Sequence, residues 1–303
     1  MKFKATYLRE INAPELLRVV TDSFPEDSDE PEIASDIFVT AMEACDAKLP
    51  IRFLQGPGGF IRFPWPHHLH VSDVSNPTSS EFLALTNAGI IAFDQFKKAI
   101  GLNKLRSWAN FISFGVDGAS SDTGQHSELV FLFDTAADSV HITGKSYPTS
   151  QQERKLVRQP DLKSHILQLG SESVLVLGCH DLNLLSNRAL RNSSPGSWRN
   201  RVLKAARSLF PRYSPAFTVV LQHPHTCDTP RSWSTAWSGV LQALPAVRLA
   251  SGAGRWWNNG DPQRAPISDC LAATAHGSIS TVRVSIVTAC RQKRLTKYKV
   301  ATK

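Results

Sequence analysis

Short apolar runs that stop abruptly at glycine or polar residues, above all "SVLVLG" (173–178) and "AFTVVLQ" (216–222), constrain this chain more than any other feature. Their length and β-branched content read as strands whose surroundings are apolar. Between such runs lie segments with apolar residues at helical spacing, among them Ile33, Ile37, Phe38, Met42 and Cys45 in the first. In chain order the reading is strand (16–24), helix after an acidic start (26–49), strand "PIRFLQ" closed by "GPGG", and a Pro- and His-rich loop. A helix with a serine N-cap follows from residue 80, then a strand ("SWANFISFGVDG") and a hairpin-like pair ("SELVFLFDTAADSVHITGKSYP"). The run at 173–178, a helix "RVLKAARSLF", the run at 216–222, a helix "SWSTAWSGVLQALP" and a strand "AVRLASGAG" complete the pattern. Strand–helix alternation of this kind belongs to α/β domains with covered sheets. No internal repeat and no linker is visible, so a single domain over 1–275 is expected, with a basic C-terminal tail over 276–303.

The charge supports that division. The net +8 looks like a nucleic-acid signal, but seven basic residues and no acid lie between Arg283 and Lys303, and without them the body carries only +1. A basic tail can meet a polyanion, although a solvated tail is the simpler expectation. Asp22 to Asp36 holds seven acids and no base and is a candidate partner for it. The start "MKFKATYLRE" lacks a signal-peptide apolar run, and no stretch has the length of a membrane span, so a cytoplasmic protein is expected. Five widely spaced cysteines without a CxxC argue against a disulfide framework or a zinc ribbon.

Functional groups of α/β folds collect where loops leave the carboxyl ends of strands. Three polar clusters stand at such points: "GKSYPTSQQE" from Gly144, "CHDLN" from Cys179, and "HPHTCD" from His223. A thiol on the turn after "VLVLG" is placed to act as a nucleophile, with Lys145 to stabilise thiolate or oxyanion and Glu153 to relay protons. The plainer reading makes Cys179 a small core residue beside solvated polar groups. A third reading is a metal site: His223 and His225, with Cys227 and Asp228, and His180 with Asp181 from another strand end, are plausible zinc ligands. "HHLH" at 67–70 reads as surface. Trp233, Trp237, Trp256 and Trp257, with Arg231 and Arg255 nearby, could stack bases or pack an oligomer face; Trp233 and Trp237, four apart on a helix, have core or interface spacing first.

"ITGKSYPTSQQE" followed by a strand and then "VLVLGCHDLN" resembles the lysine and cysteine segments of the carbon–nitrogen hydrolase (nitrilase) superfamily. Lys145 and Cys179 are 34 residues apart, Glu153 follows the lysine by eight, and His180 stands where the family places an aromatic residue. In element order the resemblance covers roughly 12–257. It implies an α-β-β-α sandwich, no cofactor and a homo-oligomer. It also implies hydrolysis of a small amide or nitrile through a thioester, with Cys179 attacking, Lys145 at the oxyanion, Glu153 orienting substrate or water, and His180, Asp181, His223 and His225 lining the substrate site. The family's general-base glutamate ends the second strand, where this chain has Gln55 and Gly56. A neutral amide cannot take the thiol proton. Either His180, His223, His225 or Glu81 substitutes, or the scaffold binds without hydrolysing.

Overall fold

Strand residues point alternately to opposite faces, so an apolar run with no polar alternation needs a layer on each side. The computed structural model supplies both layers; it describes residues 3–9, 14–21, 31–45, 49–225, 230–254, 269, 272 and 275–286. The first half of the chain gives β1 (Phe3–Arg9), β2 (Leu16–Thr21), α1 (Pro31–Glu43), β3 (Ile51–Gln55), β4 (Ile61–Pro64), α2 (Ser79–Ile100), α3 (Leu102–Trp108), β5 (Ala109–Ala119), β6 (His126–Asp134) and β7 (Ser139–Gly144). The second gives β8 (Leu156–Val157), β9 (Ile166–Leu169), β10 (Glu172–Leu177), α4 (Asn187–Arg191), α5 (Trp198–Leu209), β11 (Phe217–Gln222), α6 (Pro230–Ala243), β12 (Leu249–Gly252), β13 (Ala275–His276) and β14 (Ile279–Ile286).

Among the described residues these strands form two sheets. The first runs β1-β14-β2-β3-β5-β6-β7, with β4 also on β5 and β8 on β6; the second runs β13-β12-β11-β10-β9. Alternation assigns their faces. Val130 and Leu132 of β6 meet Val174 and Val176 of β10 and Val219 and Leu221 of β11 in a core between the sheets. Their neighbours Leu129, Phe131 and Phe133 pack under Phe38 of α1, Phe93 and Phe96 of α2, and Trp108 of α3. On the far side, Leu175 and Leu177 pack under Ala206 of α5 and Trp237 and Val240 of α6. The result is a single α-β-β-α sandwich, the architecture expected from the sequence, with Trp237 in its outer core and Trp233 packed against it.

Several local expectations change. Ile61–Pro64, at the start of the stretch read as a Pro- and His-rich loop, form β4 and pair in parallel with β5. The helix from residue 80 begins one turn-position earlier, at Ser79, and its cap is Thr78: the Thr78 hydroxyl accepts from Glu81 N while the Glu81 carboxylate accepts from Thr78 N, a reciprocal capping box. The stretch 276–303, read as a basic tail, begins with β14, which lies inside the first sheet, parallel to β2 and antiparallel to β1. Arg283 is therefore a strand residue; Ile279, Val282 and Val284 are buried together with Ser280 and Thr281, and the polar pair and Arg283 interrupt the apolar run that would have marked a strand. Residues 287–303, Asp22 to Glu30, Cys227, Asp228, Arg255, Trp256 and Trp257 lie outside the described residues, as does the side chain of Arg231.

Candidate active site

The site is assembled from both sheets where β6, β7, β10 and β11 meet. In the antiparallel β6–β7 pair, Leu129 stands opposite Gly144, so the next residues, Glu128 and Lys145, face each other and Lys145 N donates to Glu128 O at 2.9 Å. Their side chains converge as well: Lys145 Nζ lies 3.0 and 2.9 Å from the two Glu128 carboxylate oxygens and 2.7 Å from Gln152 Oε1. Gln152 Nε2 returns a hydrogen bond to Glu128 Oε1 at 2.6 Å. Lys145 is 1% exposed and Glu128 6%, which makes this a buried and fully partnered ion pair.

Cys179 comes from the other sheet, one residue beyond Gly178 at the end of β10. Asp181 fixes its position by accepting from Gly178 N (3.1 Å), Ser146 N (3.1 Å) and Tyr147 N (2.8 Å), which fastens the turn after β10 to the turn after β7. A Cβ at position 178 would lie 3.1 Å from the Lys145 Cα, so the close approach of the two turns depends on that glycine. His180 holds a left-handed backbone (φ 41°), one of the few non-glycine residue types that adopt it readily.

The third component is His225, after β11. Its Nε2 lies 2.5 Å from Asp117 Oδ2 on β5, and its Nδ1 3.5 Å from Glu128 Oε2. The "GPGG" loop makes this possible: Gly58 N donates to Pro224 O at 3.0 Å, and a Cβ on Gly58 would fall 2.5 Å from His223 O. Gly59, at φ 58°, packs against both Asp117 and His225. The loop that follows the second strand thus carries no base itself and instead seats the histidine.

Electrostatics follow from this geometry. Burial pushes the Cys179 thiol up, but the Lys145 charge and hydrogen bonds with His180 and His225 outweigh burial and hold it well below the ordinary thiol value. Burial works against charge on His225 too, yet the Asp117 and Glu128 carboxylates raise it well above the ordinary imidazole value. Glu128, despite burial, is drawn down to about 2 by His225 and Lys145, and Lys145 is raised by Cys179 and Glu128. These shifts favour the thiolate of Cys179 and the charged forms of His225 and Lys145 beside it. Asp117, Glu128, Lys145, Cys179, His180 and His225 all line one cavity of about 750 Å³, with Arg62, His126 and Gln152 on its walls. A second cavity of about 390 Å³, bearing Arg188 and Arg199, shares Thr149 and His180 with it.

Of the residues singled out in the sequence, the structure brings Cys179, Lys145, His180 and His225 together. Glu153 is elsewhere: its carboxylate accepts from Trp198 Nε1 and pairs with Arg199 at 3.2 Å, and the neighbouring Gln152 reaches Lys145 in its place. Asp181 is 0% exposed and committed to backbone amides, so it supports the site from behind. His223 is buried with Nδ1 against Gly56 O at 3.0 Å, and burial lowers it to about 4; it is not part of the cavity wall. Glu81 is occupied in capping α2. Gln55 spans the sheets, donating to Gln222 O at 2.9 Å. The His223/His225 and His180/Asp181 pairs therefore do not converge as a metal-ligand set, because one member of each is turned to other partners. A different trio does: the ligand atoms of Glu128, Cys179 and His225 lie within 4.8 Å of one another.

Glu128 and Asp117 belong to no recognisable motif in the sequence. Each is a carboxylate set among apolar strand residues, in "SELVFLFD", whose other acid Asp134 stands at the far end, and in "FISFGVDG"; a buried charge in that setting demands a partner. That signal was available; the identity of the partner was not.

No family model matches the sequence, and no curated protein matches it. Solved structures do. An amidase from Nesterenkonia sp. is similar at 13% identity and a TM-score of 0.45, over 81% of this chain and 78% of that one. The NitN amidase of strain AN1, after removal of its His-tag, aligns over 89% of this chain and 92% of its own, again at 13% identity and a TM-score of 0.45. A cysteine variant of the AN1 amidase, described as from the nitrilase superfamily, is similar at 14% identity and a TM-score of 0.44, over 82% and 78% of the two chains.

Proposed function

We propose that this protein is a divergent member of the nitrilase superfamily and hydrolyses a C–N bond in a small amide through a thioester on Cys179. The observation that carries the reading is the Cys179 thiol held between Lys145 and a His225 that is itself anchored by Asp117 at 2.5 Å. The nucleophile, its proton partner and that partner's orienting carboxylate form the arrangement that acyl-transfer enzymes need, whatever their fold.

In the first half-reaction the Cys179 thiolate adds to the amide carbon and the carbonyl oxygen takes the negative charge. The Lys145 ammonium stabilises that oxyanion by its field, since its hydrogens are directed at Glu128 and Gln152. His225, entering as the imidazolium, gives its proton to the nitrogen, the C–N bond breaks, and the amine leaves with a thioester behind it. In the second half-reaction neutral His225 takes a proton from water, the oxygen adds to the thioester carbon, and the C–S bond breaks to restore the thiolate and release the acid. Asp117 holds the imidazole in one orientation and favours its charged form throughout. The base absent at Gln55 is in this way supplied from another strand end. The polar walls of the cavity suit a small polar substrate.

The test is ammonia release from a panel of short aliphatic amides, with the acyl-enzyme trapped by acid quench and located by peptide mass spectrometry. An acyl mass on Cys179 that disappears in Cys179→Ala supports the reading. A well-folded protein that neither releases ammonia nor acquires the acyl mass removes it, and leaves a scaffold that binds without turnover.

A further inference from the structure

We propose that Glu128, Cys179 and His225 also form a binding site for a zinc-like divalent cation, and that occupancy of this site switches the hydrolase off. The regulatory half of this statement rests on the function proposed above; the binding half does not.

The three side chains come from three different strand ends, and their ligand atoms already lie within 4.8 Å of one another. Around a tetrahedral zinc ion, with Zn–S about 2.3 Å and Zn–N or Zn–O about 2.0–2.2 Å, donor atoms are about 3.3–3.7 Å apart, so a contraction of about 1 Å completes the set. Thiolate, imidazole and carboxylate are the donor types zinc prefers, and three protein ligands with one open position is the arrangement of accessible zinc sites. The open position faces the 750 Å³ cavity, which also provides the way in.

Two further observations point the same way. His225 is held at Nε2 by Asp117, leaving Nδ1 toward Glu128; a carboxylate on the far nitrogen of a ligating imidazole fixes its orientation and strengthens it as a ligand. The composition of the cluster fits as well: the carboxylates of Glu128 and Asp117 and the sulfur of Cys179 gather on one cavity wall, a set of anionic donor types suited to a divalent cation. Lys145 and Gln152 occupy part of the Glu128 carboxylate, but two oxygens offer about four lone-pair directions, and the His225 side of Oε2 stays available. With the cation bound, Cys179 has no lone pair for the amide carbon and His225 has no proton for the leaving nitrogen.

The experiment titrates chelator-treated full-length protein with Co2+, a spectroscopic substitute for zinc, and then displaces it with zinc. One equivalent should bind with a thiolate-to-cobalt charge-transfer band. Cys179→Ser should abolish the band while Cys45→Ser keeps it, and Asp117→Asn should weaken zinc binding about 10-fold or more, with circular dichroism confirming that each variant is folded. No cobalt band, or a band that survives Cys179→Ser, overturns the site. Ammonia release on the same samples separates the two proposals. Turnover by metal-free protein that stops at one equivalent of zinc supports both. A Cys179-dependent cobalt site in a protein without turnover keeps the binding site and removes the hydrolase. Turnover that zinc leaves unchanged, or that requires zinc, overturns the inhibitory site.

Discussion

At the scale of single residues, the protonation state of Cys179 decides most. A thiol whose pKa lies below its ordinary value is already thiolate at lower pH, so alkylation of Cys179 by iodoacetamide should reach its plateau well below the ordinary thiol midpoint of about 8.5. Removing the nearby ammonium in Lys145→Ala should move that midpoint upward, which peptide mass spectrometry across a pH series reads directly. The two carboxylates near Lys145 in sequence and space should behave differently. Glu128→Gln leaves Lys145 buried without its counter-charge and should reduce amide turnover by about 10²–10⁴-fold, whereas Glu153→Gln loses one half-exposed pair with Arg199 and should change it less than threefold, on the weak energetics of such pairs at about 0–1 kcal/mol. Steady-state kinetics on the two variants settles which acid serves the site. The contrast explains what the sequence could disclose. Lys145, Cys179 and His225 announce themselves by standing just past strand ends, but Glu128 acquires its meaning from the β6–β7 register, and an offset of eight residues pointed to Glu153, where a turn sends the side chain outward.

At the scale of elements, the glycine-rich turn after β3 and the strand β5 form one supporting unit. A Cβ on Gly115 would lie 2.4 Å from the Gly59 nitrogen, and backbone cannot step aside as a side chain can. Gly115→Ala should therefore push the 56–59 turn away from β5 and with it His225 from Asp117. The expected outcome is a lowered Tm together with loss of the rapid alkylation of Cys179, measured by calorimetry and by the mass-spectrometric assay. Most elements were legible because each carries its own period: the near-unbroken apolar strands, the helical spacing in α1, α2 and α6, and the turn residues of the β6–β7 hairpin. β1 and β14 were not legible in this way. Their pairing spans almost the whole chain, from Phe3 to Ile286, and no local pattern records a partner so distant.

For the whole molecule, stability resides in the contact between the sheets more than in the ions at its margin. Leu221 is 0% exposed in that contact, and Leu221→Ala should cost about 2–5 kcal/mol. Glu172 bridges Arg52 and Arg248 at the rim, where the side chains are about a quarter to a half exposed; Glu172→Ala should cost under about 1 kcal/mol, and urea unfolding of the two variants tests the ranking. Ending the chain at residue 275 removes β14, which takes from β1 its partner and opens an edge on β2, so that product should aggregate while one ending at Ile286 stays in solution. The same placement of β14 sets a timetable for synthesis. Every residue of the site, from Asp117 to His225, has left the ribosome before the strand that closes the first sheet exists. At about 5–20 residues per second, β1 waits some tens of seconds as an unpaired strand before its neighbour is made. A segment translated ahead of every residue of the site is thus among the last to be seated, and a nascent chain of this fold has to be kept from pairing that edge with another copy until its own β14 arrives.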